Sequence, residues 1–374
     1  MNHTFATAFA LLITLLCCTS AIANDPSTDD LEKATRSVWE LGLQSLIQTE
    51  QSSRNLSAQL DLFLAEPTAT GLTQLRQEWR NCHQQWQHHA PWMALARSQP
   101  RHFATLNRHY FSIDASDLQP GYLDAVQGYP FTGIVNDISI VLTADNLRQQ
   151  HGLTDHREVS LGFHALEFLL WGEQGERPFN DFTAITDISA EQNAAGLTTS
   201  DLPNNRRRTL LRLTTQLLAD DLQRLRQDWQ NPLSATSRSY LQLPPPRRLE
   251  ILRHTLRELL ALELPDQLLQ FAGSDQSAHH NQFAGDTQQH YLAVLTGVET
   301  LLTQGESPLL NQLLTPETAP DWQRQLQNLI AGLNEAMQEK EEGGTSKLAS
   351  LREQLPLLAV ALAGEPADTT AERP

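Results

Sequence analysis

The most regular hydrophobic pattern in the chain lies in residues 206–229. Its apolar side chains recur at intervals of three and four residues, the spacing that places them along one face of an α-helix. The polar residues between them, many of them Arg, Gln and Asp, would face solvent. This segment therefore predicts a long amphipathic helix whose buried stripe consists of Leu210, Leu213, Leu217, Leu218, Leu222, Leu225 and Trp229.

The same periodicity occurs in other parts of the chain, and nowhere does a series of alternating apolar and polar residues predict paired strands. The pattern predicts an all-α protein whose helices are separated mainly by proline-containing breaks such as Pro67, Pro91 and the run at 244–246. The other segments with this helical spacing are Val38–Ile47, Leu72–Trp86, Leu249–Leu260, Trp322–Met337 and Leu348–Leu362.

A polar segment without a helical stripe, Asp187–Asn205, precedes the longest helix and predicts a domain boundary. We expect one helical bundle over residues 24–195 and a second over residues 203–364, followed by a disordered tail at 365–374. Leu64–Trp79 and Leu314–Leu329 share a Pro/Thr loop leading into a helix with Gln, Arg, Leu and Trp. This similarity suggests that the two bundles arose by internal duplication.

The composition limits the classes of partner. The 374 residues carry a formal net charge of −17 with 40% hydrophobic residues, enough apolar material for a buried core. Such an acidic surface repels phosphate backbones and anionic headgroups, so we expect neither nucleic acid nor a membrane surface as a partner.

The first residues resemble a signal peptide. Phe5–Leu16 is apolar but short for a membrane span, and Ala21-Ile22-Ala23 provides a small-x-small cleavage pattern, so we assign residues 1–23 as the leader. A lipid anchor on Cys17 or Cys18 is the alternative, although neither cysteine follows a small residue. No other segment approaches membrane-spanning length, so the chain has no integral membrane segment after cleavage. We expect export to the periplasm.

Cleavage would leave Cys82 as the only cysteine. A single thiol forms no internal disulfide, and a cysteine-rich metal site is excluded. Any metal ion would have to be bound through His, Asp and Glu, a donor set suited to iron, manganese, zinc or calcium.

The candidate chemical site is the pair His164 and Glu167. Asp155 and Glu158 fit a capping box that would begin a helix, and Gly172 fits its C-terminal cap. The rest of this helix is strongly apolar, so His164 and Glu167 would project together from one buried face. Because a buried glutamate is costly unless it is paired, the pair predicts either two metal ligands or a His–Glu hydrogen bond within the core.

Two residues on one helix are half of a metal site, and the sequence offers several partners without choosing among them: Asp137, His83, Glu173, His280 and Asp286. Gly162, just before the pair, predicts that another helix packs closely there. The histidines at 83, 88 and 89 are interpreted as surface residues before Pro91, with an accessory metal site as the alternative.

Three segments carry a resemblance to the imelysin family, most specifically Gly162–Gly172, with the pattern Gly-x-His-x-x-Glu followed by Leu-Trp-Gly. Trp171 and Gly172 complete this signature. Tyr129-Pro130 with Asp137 resembles the family's Trp-Pro segment and its Ile-Asp pair, although Val135-Asn136 precede Asp137. The segment 280–283 with Thr287 resembles a second-half His-x-x-Phe segment, with Gly285 and Gln288 departing from the family's Asp and His.

The resemblance implies an all-helical fold of two related bundles in a bacterial periplasmic or envelope protein linked to iron acquisition. It implies a metal site at His164 and Glu167, with Asp137 and His280 as further candidates and iron favoured over zinc or calcium. The partners would be a metal ion or chelate and envelope iron-uptake proteins.

The family also carries a peptidase label from an insulin-cleaving membrane protease. Zinc peptidases of the His-Glu-x-x-His type place two histidines on one helix, and this chain has no such motif. We therefore expect a non-catalytic metal-binding protein. A metallopeptidase, or a structural or interaction module with a buried His–Glu pair, is the alternative.

Overall fold

In the computed structural model, residues 27–271, 280–338 and 343–363 are described, and within them the fold is all-α with no β-strand, as the periodicity predicted. The helices in chain order are α1 (Thr28–Ala65), α2 (Ala69–Ser98), α3 (Ala104–Asp114), α4 (Pro120–Leu123), α5 (Ala144–Gln150), α6 (Gly162–Trp171), α7 (Ala190–Ala194), α8 (Pro203–Gln230), α9 (Ala235–Leu241), α10 (Pro245–Glu258), α11 (Leu264–Phe271), α12 (Thr287–Thr303), α13 (Leu310–Leu313), α14 (Ala319–Gln338) and α15 (Gly343–Ala361).

The long helices α1 and α2 form a hairpin that packs along most of its length. Side-chain oxygens of Ser27 and Thr68 accept hydrogen bonds from backbone N–H groups in the first turn of each helix, as N-caps do. Pro91 was predicted to break this region but lies inside α2, which continues to Ser98. As a proline it supplies no N–H to the carbonyl of Gln87 four residues earlier.

Helix α8 also packs on α1, through a pair of tryptophans. The rings of Trp39 and Trp229 stack with centroids 3.7 Å apart. Each indole N–H also donates to the backbone carbonyl of the other tryptophan, at 3.2 and 2.9 Å. Gly42 permits this contact, since a Cβ there would lie 2.8 Å from the Trp229 ring.

Helix α12 packs against α2 at a similarly close approach, where a Cβ on Gly297 would lie 2.1 Å from the carbonyl oxygen of His88. Helices α14 and α15 pack on each other and are joined by a hydrogen bond from the Trp322 indole to the carbonyl of Leu358. A π-helical turn, Leu259–Glu263, connects α10 to α11 just before Pro265, which lacks the N–H needed to continue a regular α-helical ladder.

Helix α6 begins later than the sequence predicted. Asp155 and Glu158 do not cap it: Glu158 accepts from the backbone N–H groups of Thr154 and Asp155 in a separate turn, and the helix starts at Gly162. The reason is the backbone of Gly162, whose φ of +81° is incompatible with the interior of a right-handed helix. The predicted C-cap is confirmed, because the N–H of Gly172 donates to the carbonyl of Phe168.

The close approach predicted at Gly162 is confirmed. A Cβ there would lie 2.4 Å from the carbonyl oxygen of Ile113 in the last turn of α3. The absence of a side chain therefore lets the end of α3, including Asp114, pack directly on the start of α6.

The division into bundles at 24–195 and 203–364, and their duplication, remain predictions. Helices from both sides of the predicted boundary pack on one another, as the contact of α1 with α8 shows. The proposed leader and the tail at 365–374 lie outside the described residues. Among the helices that are described, none combines the length and apolar character of a membrane span.

The packing of α3 on α6 yields a first prediction. Gly162→Ala should lower the free energy of unfolding by about 3–5 kcal/mol, since it adds a backbone collision to the strain of a left-handed residue. Gly128→Ala is the matched control: its φ is +81°, but nothing lies within 4 Å of its added Cβ. That change should cost about 1–2 kcal/mol. Equal losses in urea unfolding would show that the Ile113 contact is unimportant.

Candidate metal centre

Four side chains from separate segments converge in the interior. They are His83 on α2, Asp114 at the end of α3, His164 on α6 and His280 in the turn before α12. One potential ligand atom from each lies within 4.8 Å of all the others, and His83, Asp114 and His164 are each only 2% exposed. The cluster thus combines imidazole nitrogens with one carboxylate.

Asp114 is at the centre of this arrangement. Its Oδ1 atom lies 3.2 Å from Nε2 of His164, 3.5 Å from Nε2 of His83 and 4.0 Å from Nε2 of His280. Ligand atoms at the corners of a tetrahedron around an ion, each bonded at 2.0–2.2 Å, are separated by about 3.4 Å. The three distances from Asp114 bracket this value, and all four ligand atoms lie within 4.8 Å of one another, so the side chains would have to draw closer together to complete the coordination.

Two atoms in the cluster lack a hydrogen-bond partner among the described residues: Oδ1 of Asp114 and Nε2 of His164. Buried polar atoms are almost always hydrogen-bonded, so a pair left unsatisfied in one place requires an explanation. A cation bound between them would satisfy both atoms. The residues present therefore fit a metal ion.

Glu167 lies next to the cluster and orients it. Its Oε2 accepts a hydrogen bond of 2.9 Å from Nδ1 of His164, which turns Nε2 of that ring toward Asp114. Its Oε1 accepts from the backbone N–H groups of Phe283 and Ala284, at 2.9 and 2.8 Å. One buried carboxylate thus fixes the histidine ring and the loop that begins with His280, the arrangement commonly found behind metal-binding histidines.

These contacts set the protonation states of Asp114, His164 and His280. Burial alone would raise the pKa of Asp114, but the close approach of the His164 and His83 imidazoles holds that pKa well below its usual range. Burial would lower the pKa of His164, yet the carboxylates of Asp114 and Glu167 raise it to about 9. Burial and the nearby His290 keep the pKa of His280 well below its usual value, so that ring is neutral.

The structure brings together three of the four sequence-predicted site residues: His164, Glu167 and His280. Asp137 lies elsewhere, on an exposed loop, where its Oδ1 accepts from the N–H and hydroxyl of Ser139. The guanidinium of Arg206 binds carbonyl groups of the same loop, including that of Asp137. Arg206 is itself buried.

Among the other candidate partners, His83 belongs to the cluster, while Glu173 and Asp286 do not. Glu173 accepts from the N–H of Gln127 at the surface, and Asp286 accepts from the side chain of Asn281. The interpretation of the histidine run as a surface feature is wrong for His83 and His89, which are both buried in α2.

Asp114 was not among the candidates, although two signals pointed to it. An Ile-Asp pair of the kind sought near Asp137 stands at Ile113-Asp114. Gly162 also marked the place where another helix approaches the His164 segment, and that helix is α3. Neither signal alone identifies a ligand, because the spacing of residues within one segment does not reveal which distant segments it contacts.

The rest of the signature supports the site through packing. The Trp171 ring lies edge-on to Trp79, and the guanidinium groups of Arg76 and Arg80 lie over it at 5.3 and 5.0 Å. The Trp79 indole N–H donates to the carbonyl of Phe163, and its ring contacts His83. These contacts bind the His83 turn of α2 to α6.

The structure thus shows an all-helical protein with a buried histidine–carboxylate cluster. Comparison with known proteins identifies its family. The model of the imelysin family, which carries a peptidase label, matches residues 42–361. The chain therefore belongs to the imelysin family.

A solved structure described as an iron-regulated protein A precursor from Parabacteroides distasonis has the same fold. It is 14% identical, with a TM-score of 0.57 over 91% of this chain and 97% of that one. No curated protein has significant sequence similarity to the chain.

Glu167 provides the prediction for this site. Glu167→Gln would replace one of the two acceptor oxygens by a donor NH₂, so the side chain could no longer accept from both His164 and the backbone N–H groups, and the free energy of unfolding should fall by about 2–4 kcal/mol. The N–H groups of Phe283 and Ala284 should also exchange faster with deuterium. Glu173→Gln is the control, because it alters an exposed carboxylate with one backbone partner. Unchanged exchange at Phe283 and Ala284 would contradict the anchoring role.

Proposed function

We propose that this protein is an exported, non-catalytic metal-binding protein that serves iron uptake or handling, with its ion held by His83, Asp114, His164 and His280. The observation that carries the proposal is the convergence of four buried potential ligands around Oδ1 of Asp114. Glu167 acts behind the ligands by orienting His164, and Asp137 takes no part.

The donor set narrows the choice of ion. Three imidazole nitrogens and one carboxylate oxygen suit iron or zinc. Calcium prefers six to eight oxygen ligands, so it fits this cluster poorly. Iron is favoured over zinc because the structural neighbour is described as iron-regulated. An ion bound here would supply a localised positive charge that compensates the buried carboxylates.

The proposal of a non-catalytic role rests on two features. Four side chains can fill a tetrahedral coordination sphere, whereas catalytic zinc sites generally keep a position open for water. In addition, both oxygens of Glu167 already accept hydrogen bonds, so this carboxylate is not free to act as a general base. These features favour binding over the peptidase activity that the family label suggests.

The cellular location in the proposal is the periplasm, supported by the leader pattern of residues 1–23 and by the neighbour's description as a precursor. The partners would be the metal ion or a chelate of it, together with envelope proteins of iron uptake. The acidic surface of the chain favours attraction of cations over anionic partners.

Metal content tests the ligand assignment. Protein purified without chelator and loaded with Fe²⁺ or Zn²⁺ should bind about one ion per chain, and alanine substitution of His83, Asp114, His164 or His280 should weaken binding by about 100-fold or more. His89→Ala and Asp137→Asn are the controls. His89 is a buried histidine outside the cluster, and Asp137 is an acidic residue on an exposed loop, where its Oδ1 accepts from the N–H of Ser139.

The controls should bind metal as the unmodified protein does. Loss of binding in Asp137→Asn together with normal binding in Asp114→Ala would overturn the ligand set. If neither metal binds and the cluster variants only lose stability, the alternative of a structural His–carboxylate core would replace the proposal.

The peptidase alternative has its own test. The metal-loaded protein should not cleave insulin or casein above the level of a His164→Ala preparation, because the cluster leaves no free base beside the ion. Cleavage that requires metal and disappears in both His164→Ala and Glu167→Gln would contradict a non-catalytic role.

A further inference from the structure

Gln87 contacts the cluster but is not one of the four proposed ligands. It is one turn after His83 on α2, and its side chain is 1% exposed. Its Nε2 atom lies 2.7 Å from Nε2 of His83, 3.0 Å from Nε2 of His280 and 3.4 Å from Oδ2 of Asp114. A single amide group thus contacts three of the four residues that would hold the ion.

The hydrogen bonds from Gln87 cannot coexist with metal binding by the same histidine nitrogens. An amide NH₂ group is a donor only, so Nε2 of His83 and Nε2 of His280 are the acceptors. A neutral imidazole has one nitrogen with one lone pair available, and that lone pair is also what a metal ion requires. Neither histidine can therefore accept from Gln87 and bind an ion through the same nitrogen at the same time.

The surroundings of Gln87 provide space for its amide to move. Beside it is a cavity of about 180 Å³ lined by polar side chains, among them Arg80, Asn281 and Asp286. His83 and Gln87 line both this cavity and the buried cluster, so the amide lies between the two.

We propose that Gln87 is an internal competitor for the metal ion. Its NH₂ group occupies the Nε2 lone pairs of both imidazoles in the metal-free protein, and it rotates toward the cavity when an ion takes those lone pairs. Gln87 thus acts through the two histidines, weakening metal binding and keeping it reversible. The inference rests on the proposed function, because it requires the cluster to bind an ion.

The test compares Gln87→Met with the unmodified protein in titrations with Zn²⁺, a redox-inert probe, against a chromogenic chelator. Methionine has a similar length but cannot donate to the histidines. Removing two competing hydrogen bonds should tighten Zn²⁺ binding roughly 10- to 100-fold. Gln84→Met is the matched control, because Gln84 is on the same helix and lines the same cavity but is exposed. Its affinity should not change.

Two other results would overturn the inference. Weaker Zn²⁺ binding in Gln87→Met would make Gln87 a ligand through its carbonyl oxygen, and unchanged binding would show that the amide does not compete. Gln87→Asn, which shortens the side chain by one methylene and withdraws the amide, provides a second variant if the methionine protein does not fold. Tighter binding is expected there as well.

A second readout follows the amide itself. In glutamine ¹⁵N-labelled protein, the side-chain NH₂ signal that is missing from Gln87→Met identifies Gln87. Zn²⁺ should increase the solvent exchange of that signal, and an unaffected signal would contradict the rotation.

The two proposals can fail separately. If Zn²⁺ binds to the unmodified protein and not to His164→Ala, the proposed function is supported whatever the Gln87 variants do. Absence of binding in the unmodified protein would remove both proposals.

Discussion

A buried carboxylate, Asp114, is the charge around which the site is organised. A carboxylate that is 2% exposed has lost nearly all its hydration and needs compensation from donors or a cation. Three imidazoles from α2, α6 and the turn before α12 surround its Oδ1 atom, and their proximity keeps its pKa well below the usual range. The packing of those segments therefore has an electrostatic reason in addition to the burial of apolar surface.

Glu167 connects the cluster to the backbone of the turn that carries His280. Because it accepts from His164 and from two backbone N–H groups of the 280–284 turn, it links α6 to a segment more than a hundred residues later in the chain. Residues from both sides of the predicted domain boundary thus form one cluster. An ion bound there would hold these segments together, and Gln87 provides the alternative set of contacts for two of the histidines.

The sequence predicted the fold class and most long helices correctly, because an amphipathic stripe of leucines is a local signal with a fixed period. It also placed the His164–Glu167 pair in a buried helix and predicted a close approach at Gly162. Its errors have physical causes. Asp155 and Glu158 have capping chemistry, but the left-handed Gly162 separates them from α6. Asp114 and His83 contribute through contacts between distant segments, and the Ile113-Asp114 pair does not by itself identify Asp114 as a ligand.

The central claim is that His83, Asp114, His164 and His280 share one ion, and a crystal structure of the metal-loaded protein measured at the iron or zinc absorption edge tests it most directly. We expect one anomalous peak about 2.0–2.2 Å from Nε2 of each histidine and from Oδ1 of Asp114. Glu167 should remain hydrogen-bonded to Nδ1 of His164, and the Gln87 amide should be turned away. An ion bound at Glu167 or Asp137 without Asp114, or no ion in the cluster after loading, would contradict the account.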